Sequence, residues 1–181
     1  KLRVVSIRKF PFEVNEMRWS PDGDILWVTT GTGTVEVHAW PSSRKMLSMK
    51  AHTAGCYAID VDPLGRKLAV GGADTLVSMW DTEEYTCLYT VARSGKPVRV
   101  VRFSKGGDFI ATGSEEHFID IADSQTGACA AKLSTGAATN SLAWSPSEHI
   151  LAYVGDAQPG KIDRHARTSI RIWGVPSGTM A

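Results

Sequence analysis

Residues 51–81 read AHTAGCYAIDVDPLGRKLAVGGADTLVSMWD, and this stretch holds three short apolar runs separated by turn residues. Ile59 and Val61 flank the polar Asp60, a spacing of two that belongs to a half-buried strand and not to a helix. Asp62-Pro63-Leu64-Gly65 follows, where proline presets φ and glycine supplies positive φ, so the chain turns. Leu68–Val70 is a second short apolar run, Gly71-Gly72 and Asp74 mark another turn, and Val77/Met79 alternate again before Trp80-Asp81.

The same grammar recurs on both sides. Taking Val61 as an anchor, its counterparts are Trp19, Phe103 and Trp144, at separations of 42, 42 and 41 residues. Two residues before each anchor lies an apolar residue (Met17, Ile59, Val101, Leu142), with Arg18, Asp60, Arg102 or Ala143 between. The turns that follow are Ser20–Gly23, Asp62–Gly65, Ser104–Gly107 and Ser145–Glu148. Next come Ile25–Val28, Leu68–Val70, Phe109–Ala111 and Ile150–Val154, then the pairs Val35/Val37, Val77/Met79, Ile119/Ile121 and Ile170/Ile172. A weaker fourth run lies near Met46–Met49, Cys87–Val91 and Cys129–Leu133. Each unit of about 42 residues therefore holds four short strands, here a to d, and no helix. A lone four-stranded sheet cannot hide both faces, whereas radial stacking buries them against each other. The reading is an all-β propeller.

Within the second unit, Ala51-His52 precedes strand a, Asp74 lies in the b–c turn and Trp80-Asp81 closes strand c. This resembles the WD-repeat family, in which a histidine, a hydroxyl, an aspartate and the tryptophan form a hydrogen-bonded tetrad that fixes each blade. The resemblance implies a blade-fixing role for His52, Asp74, Trp80 and Asp81, but Val70–Ala73 offers no hydroxyl where one is sought. The other blades are degenerate: Ser94, Ser114, Glu116 and Ala122-Asp123 in the third, His38-Ala39 in the first, Trp173-Gly174 in the fourth.

Phe12–Glu16, Asp74–Asp81, Pro97–Arg99 and above all Glu116–Ala122 are similar to the WD-repeat subunits of the THO complex. That resemblance implies a nuclear, non-enzymatic scaffold of the THO/TREX assembly. Such a subunit supports transcription-coupled mRNA packaging and export by contacts to the other THO subunits. Two alternatives stand beside it: a propeller that binds RNA directly, and a WD-repeat adaptor of another nuclear complex.

Seven blades would need about 294 residues, and this chain supplies 181. It is read as the C-terminal part, about four blades, of a larger, seven-bladed ring. Residues 1–9 are expected to hold the outer strand of a preceding blade (Val4–Arg8), with blades at 10–51, 52–93, 94–134 and 135–181. The last blade carries about ten extra residues between strands b and c, near residues 155–167.

Composition excludes several classes. Twenty basic against nineteen acidic residues give a net charge of +1, too balanced for a whole-domain grip on nucleic acid or membrane. No apolar run reaches the roughly 18 residues of a membrane span, and residues 1–15 hold no apolar run of the signal-peptide kind. Cys56, Cys87 and Cys129 have no zinc-ligand spacing, and the five histidines contain no H-x-x-x-H pair, so no metal or other cofactor is expected. Serine, histidine and aspartate occur without a nucleophile-elbow context, and Gly31-Thr32-Gly33 lacks the Lys and helix of a phosphate cradle. Neither an enzyme nor a small-molecule substrate is expected.

Three surface features are candidates for binding. The entrance positions of strand a, Asn15, Tyr57, Arg99 and Asn140, should line one propeller rim, and Tyr and Arg are frequent in binding hot spots. The insertion in the last blade, with Lys161, Arg164 and Arg167, should share that rim, where per-repeat insertions often bind. Arg93, Lys96, Arg99, Arg102 and Lys105 form a run without an acid, a possible contact for RNA or an acidic partner. Strand parity puts Arg99 and Arg102 on opposite faces, so these five should not form one stripe. Met17, Trp19 and their equivalents are expected in the core.

Overall fold

The structure, a computed structural model, describes residues 2–155 and 170–174. Short alternating runs joined by tight turns can each pair with the run before and after, and antiparallel meanders result. The first sheet orders β1 (Val14–Trp19), β2 (Ile25–Thr30), β3 (Thr34–Ala39) and β4 (Lys45–Lys50). The second orders β5 (Cys56–Val61), β6 (Lys67–Gly72), β7 (Val77–Asp81) and β8 (Cys87–Val91). The third holds β9 (Val98–Phe103), β10 (Phe109–Ser114), β11 (Phe118–Asp123) and β12 (Cys129–Ser134). The fourth has three described strands, β13 (Thr139–Trp144), β14 (Ile150–Gly155) and β15 (Arg171–Gly174).

The a–b turns close on their own first residue. Ser20 Oγ accepts from Ile25 N at 2.9 Å, Asp62 Oδ1 from Lys67 N at 2.7 Å and Ser104 Oγ from Phe109 N at 3.0 Å. Each acceptor satisfies a backbone donor that the hairpin leaves unpaired.

The apolar cores lie between sheets. Trp27, Val35, Val37 and Met49 of the first sheet meet Cys56, Ile59, Leu68 and Val70 of the second. Ala69, Val77 and Met79 meet Val98, Val101, Phe103 and Ile110 of the third, which in turn packs Val100, Ile119 and Ile121 on Leu142, Leu151 and Tyr153. A fully buried residue such as Ile59 contributes about 1.5–3 kcal/mol. Two glycines one repeat apart permit this closeness: a Cβ on Gly71 would lie 2.6 Å from Val98 Cγ1 of the third sheet, and one on Gly113 3.0 Å from Thr139 Cβ of the fourth. The inner strands β1, β5, β9 and β13 are successive neighbours, as radially stacked blades require.

Two expectations fail at the ends. Met17 and Trp19 are 52% and 46% exposed, while Ile59 and Val101, at the Met17 position, are fully buried. Those equivalents face a preceding sheet, and the first sheet has none among the described residues. Ile172, on the outer face of β15, is likewise 73% exposed. The outer strand expected at Val4–Arg8 does not form, and Val4, Val5 and Ile7 are exposed. A strand needs a ladder partner, and none pairs with this segment among the described residues. Phe10 instead lies edge-on to His38, with ring centroids 5.6 Å apart, over part of the free face of the first sheet.

Candidate binding rim

Antiparallel register places the start of strand a, the b–c turn and the end of strand d at one edge of each of the first three sheets. In the first sheet Val14 pairs with Thr30, Thr29 with Val35 and Thr34 with Lys50. The four entrance residues named above sit at this edge, each at a register shift. Cys56 pairs with Gly72 and Ala58 with Gly71, leaving Tyr57 extra; Arg99 and Asn140 are skipped in the same way. In β1, Asn15 and Glu16 together oppose Thr29, whose Oγ1 lies 2.9 Å from Glu16 N and 3.1 Å from Glu16 O. A bulge frees one residue from the ladder and re-aims its side chain. Repetition of the bulge therefore builds a rim from second positions of inner strands.

Side chains of this rim cross from blade to blade. Asn15 Nδ2 donates to Cys56 O at 2.8 Å, and the Arg99 guanidinium carbon lies 4.5 Å from the centroid of the Tyr57 ring. Arg99 also pairs with Glu115 of its own b–c turn, with Nε 2.9 Å from Oε1. Asn140 stands at the equivalent exposed place in β13.

The WD-type residues of the second blade come together around a hydroxyl that was sought on strand b and lies on strand c. Trp80 Nε1 donates to Ser78 Oγ at 2.8 Å, Ser78 Oγ lies 2.9 Å from His52 Nε2, and His52 Nδ1 donates to Asp74 Oδ1 at 2.8 Å. The Val70 carbonyl is 3.1 Å from the same Nε2. Burial works to raise the Asp74 carboxyl, but hydrogen bonds from Thr53 and the charge and hydrogen bond of His52 hold it below its ordinary value. Ser78 was legible: two residues before Trp80 in a strand, it shares the indole's face. Asp81 is not in this chain of bonds; its Oδ1 accepts from Glu83 N and Glu84 N, both at 2.8 Å, and shapes the next turn.

Equivalent slots hold other chemistry elsewhere. In the first blade Glu36 and His38 occupy the Ser78 and Trp80 places, with His38 Nε2 3.1 Å from Glu36 Oε2 and Lys45 Nζ 2.9 Å from Oε1. In the third, Asp120 stands for Ser78 and Ala122 for Trp80. Arg93, the neighbour of Ser94, reaches in with Nε 2.8 Å and Nη2 2.6 Å from the two Asp120 oxygens. That hydrogen bond, with the Asp120 charge, raises the already high Arg93 value. In the fourth, Arg171 Nη1 donates to Thr135 O at 2.9 Å.

Inward of the rim, the inner strands are tied by an alternating charge network. Arg18 lies 3.2 Å from Glu16 and 3.1 Å from Asp60, and Arg102 reaches 3.0 Å to Glu16. Glu16 Oε2 accepts Ile59 N at 2.9 Å and Asp60 Oδ2 accepts Phe103 N at 2.8 Å, so each carboxylate caps an edge donor of the next blade. Burial pushes the Asp60 carboxyl up, against the Phe103 amide and the two arginines.

The basic run is dispersed by these same contacts. Arg93, Arg99 and Arg102 pair with Asp120, Glu115 and Glu16, and Lys105 Nζ lies 3.4 Å from Ser147 O. Simple parity does not separate Arg99 from Arg102, because the bulge shifts the phase: Val98 and Val101, three apart, join the same core. What breaks the stripe is pairing with carboxylates on three different elements. Lys161, Arg164 and Arg167 lie outside the described residues.

Four-stranded blades with a Trp–Ser–His–Asp chain are those of WD-repeat proteins, and this chain carries such repeats: WD domain, G-beta repeat matches residues 43–81 and 85–121. Over 177 residues, 98% of this chain, it is 45% identical to THO complex subunit 3 of Arabidopsis thaliana, of which it spans 56%. It is also 34% identical over 109 residues to WD repeat-containing protein AAC3 of Dictyostelium discoideum, covering 57% of this chain and 23% of that one. The fold matches the solved structure of U3-55K with a TM-score of 0.81 at 16% identity, covering 93% of this chain and 51% of that chain.

Proposed function

We propose that this chain is the larger part of a non-enzymatic WD-repeat scaffold subunit of the THO assembly, acting in the nucleus in transcription-coupled mRNA packaging and export. The observation that carries this reading is 45% identity to a THO complex subunit 3 over 98% of the chain. Those 177 aligned residues are 56% of that relative, which leaves room for about seven units of this length in the whole. The remaining blades would then cover Met17 and Trp19 at one end and Ile172 at the other.

Its work is geometric: the bulged positions Asn15, Tyr57, Arg99 and Asn140, with Lys161, Arg164 and Arg167 of the insertion, hold other THO subunits in place. Direct RNA contact by the basic run is the weaker reading, since three of its five charges are paired internally. The test is a mass-spectrometric inventory of proteins copurifying with the tagged full-length protein, with and without nuclease. Recovery of THO subunits after nuclease is expected. Their loss on nuclease treatment would point to RNA tethering, and an unrelated partner set would reduce the protein to a WD-repeat adaptor of another complex.

A further inference from the structure

We propose that the rim around Arg99 docks an acidic peptide segment, with Glu115 as an internal placeholder that the partner's carboxylate displaces. The inference rests on the reading of this rim as a partner-contact surface and names its chemistry. Arg18, Arg93 and Arg102 keep side chains no more than 30% exposed and are spent on carboxylates within or between blades. Arg99 differs from all three: its side chain is 44% exposed and that of Glu115 is 40% exposed.

The pair is also incomplete. Both Nε and Nη2 of Arg99 converge on the single oxygen Oε1 of Glu115. Nη1 and the second Glu115 oxygen have no partner among the described residues, so the two-oxygen fork that makes arginine–carboxylate pairs strong is not formed. An exposed pair of this kind contributes little, because water and salt screen it. Meanwhile the arginine is prepared for a better ligand: the bulge aims it at the rim, and the Tyr57 ring beneath it orients the guanidinium plane.

The unfilled guanidinium fork sets the chemistry of the partner. Asp74 is held by His52 and Thr53, and Glu116 Oε1 accepts Gly95 N. Lys96, three residues before Arg99, is exposed, with no carboxylate in ion-pair reach of its ammonium among the described residues. Glu116 keeps its negative charge, bonded only to a backbone amide, so the pull on a partner comes from the unfilled Arg99 fork. A glutamate or aspartate arriving there gains the full fork from Arg99, while Glu115 swings into water.

The test is fluorescence anisotropy of a fluorescein-labelled decaglutamate peptide titrated with the full-length protein at low salt. Arg99→Ala is expected to weaken binding about tenfold, the scale of one charge-assisted hydrogen bond, and Arg99→Lys by less, because charge remains without the fork. Glu115→Gln is expected to tighten binding about threefold, and all differences should shrink in high salt. Unchanged or weaker binding by Glu115→Gln overturns the placeholder role, since a merely structural pair would lose rather than gain. A labelled decauridylate bound with the same Arg99 dependence overturns the peptide in favour of a phosphate backbone. Absence of a peptide response while THO subunits still copurify sinks this inference alone, whereas loss of the copurifying subunits sinks the scaffold reading beneath it.

Discussion

The second and third blades share strand order, turn chemistry and bulge, yet they fasten strand c to the preceding loop by opposite means. The second uses a relay of hydrogen bonds ending in a carboxylate: indole, hydroxyl, imidazole, Asp74. The third has lost the ring and the histidine and spans the space with a two-oxygen ion pair from Arg93 to Asp120. Geometry is conserved while chemistry changes, because the fold demands only a link between those points. The links differ in how they fail. A relay of hydrogen bonds loses one buried donor at a time, but an ion pair that loses its cation strands a whole charge.

Breaking the third blade should therefore have the largest and most lopsided effect. Arg93→Ala is expected to cost about 3–5 kcal/mol, because the Asp120 side chain, 5% exposed, keeps a charge with no cation. Asp120→Ala should cost less, since Arg93 at 30% exposure can turn to water. Urea unfolding of the full-length variants measures the difference, and equal or reversed costs would erase the contrast.

In the second blade, Ser78→Ala is expected to cost about 1–3 kcal/mol, by leaving the Trp80 indole without its acceptor, and Ser78→Thr should restore most of it. The indole N–H resonance of Trp80 should move with the first variant and return with the second. A silent Ser78→Ala would mean that the relay contributes no more than packing.

The smallest effect is read in acid. Asp74 has its native value lowered, so its contribution is fully present above the unfolded value of about 3.9 and fades as pH falls through the lower native value. Arg93 is raised instead, by the hydrogen bond and charge of Asp120, so its contribution is lost as pH rises past its native value and requires that carboxylate to be ionised. Amide exchange followed from pH 7 to below pH 4 should loosen around Thr53 and Asp74. Unchanged protection there below pH 4 would contradict the assignment.

Much of this was legible in the chain. Period, strand spacing and turn residues announced four blades, and His52, Asp74 and Trp80 stood out by their family-like places. Ser78 could have been found from strand parity. The bulge could not, because a skipped residue leaves composition and alternation nearly intact while shifting the phase beyond it. The pairing of Arg93, Arg99 and Arg102 was equally hidden: their carboxylates lie 27, 16 and 86 residues away.

By itself the sequence determined the unit, since a two-residue apolar period closed by Pro and Gly turns permits only short antiparallel strands, and a 42-residue repeat of them must stack to bury its faces. The tertiary structure decided which charges remain available and which apolar residues are covered. Those outcomes depend on what stands across a blade boundary: Met17 and Ile59 occupy the same place in the repeat, and only the one with a sheet before it is buried.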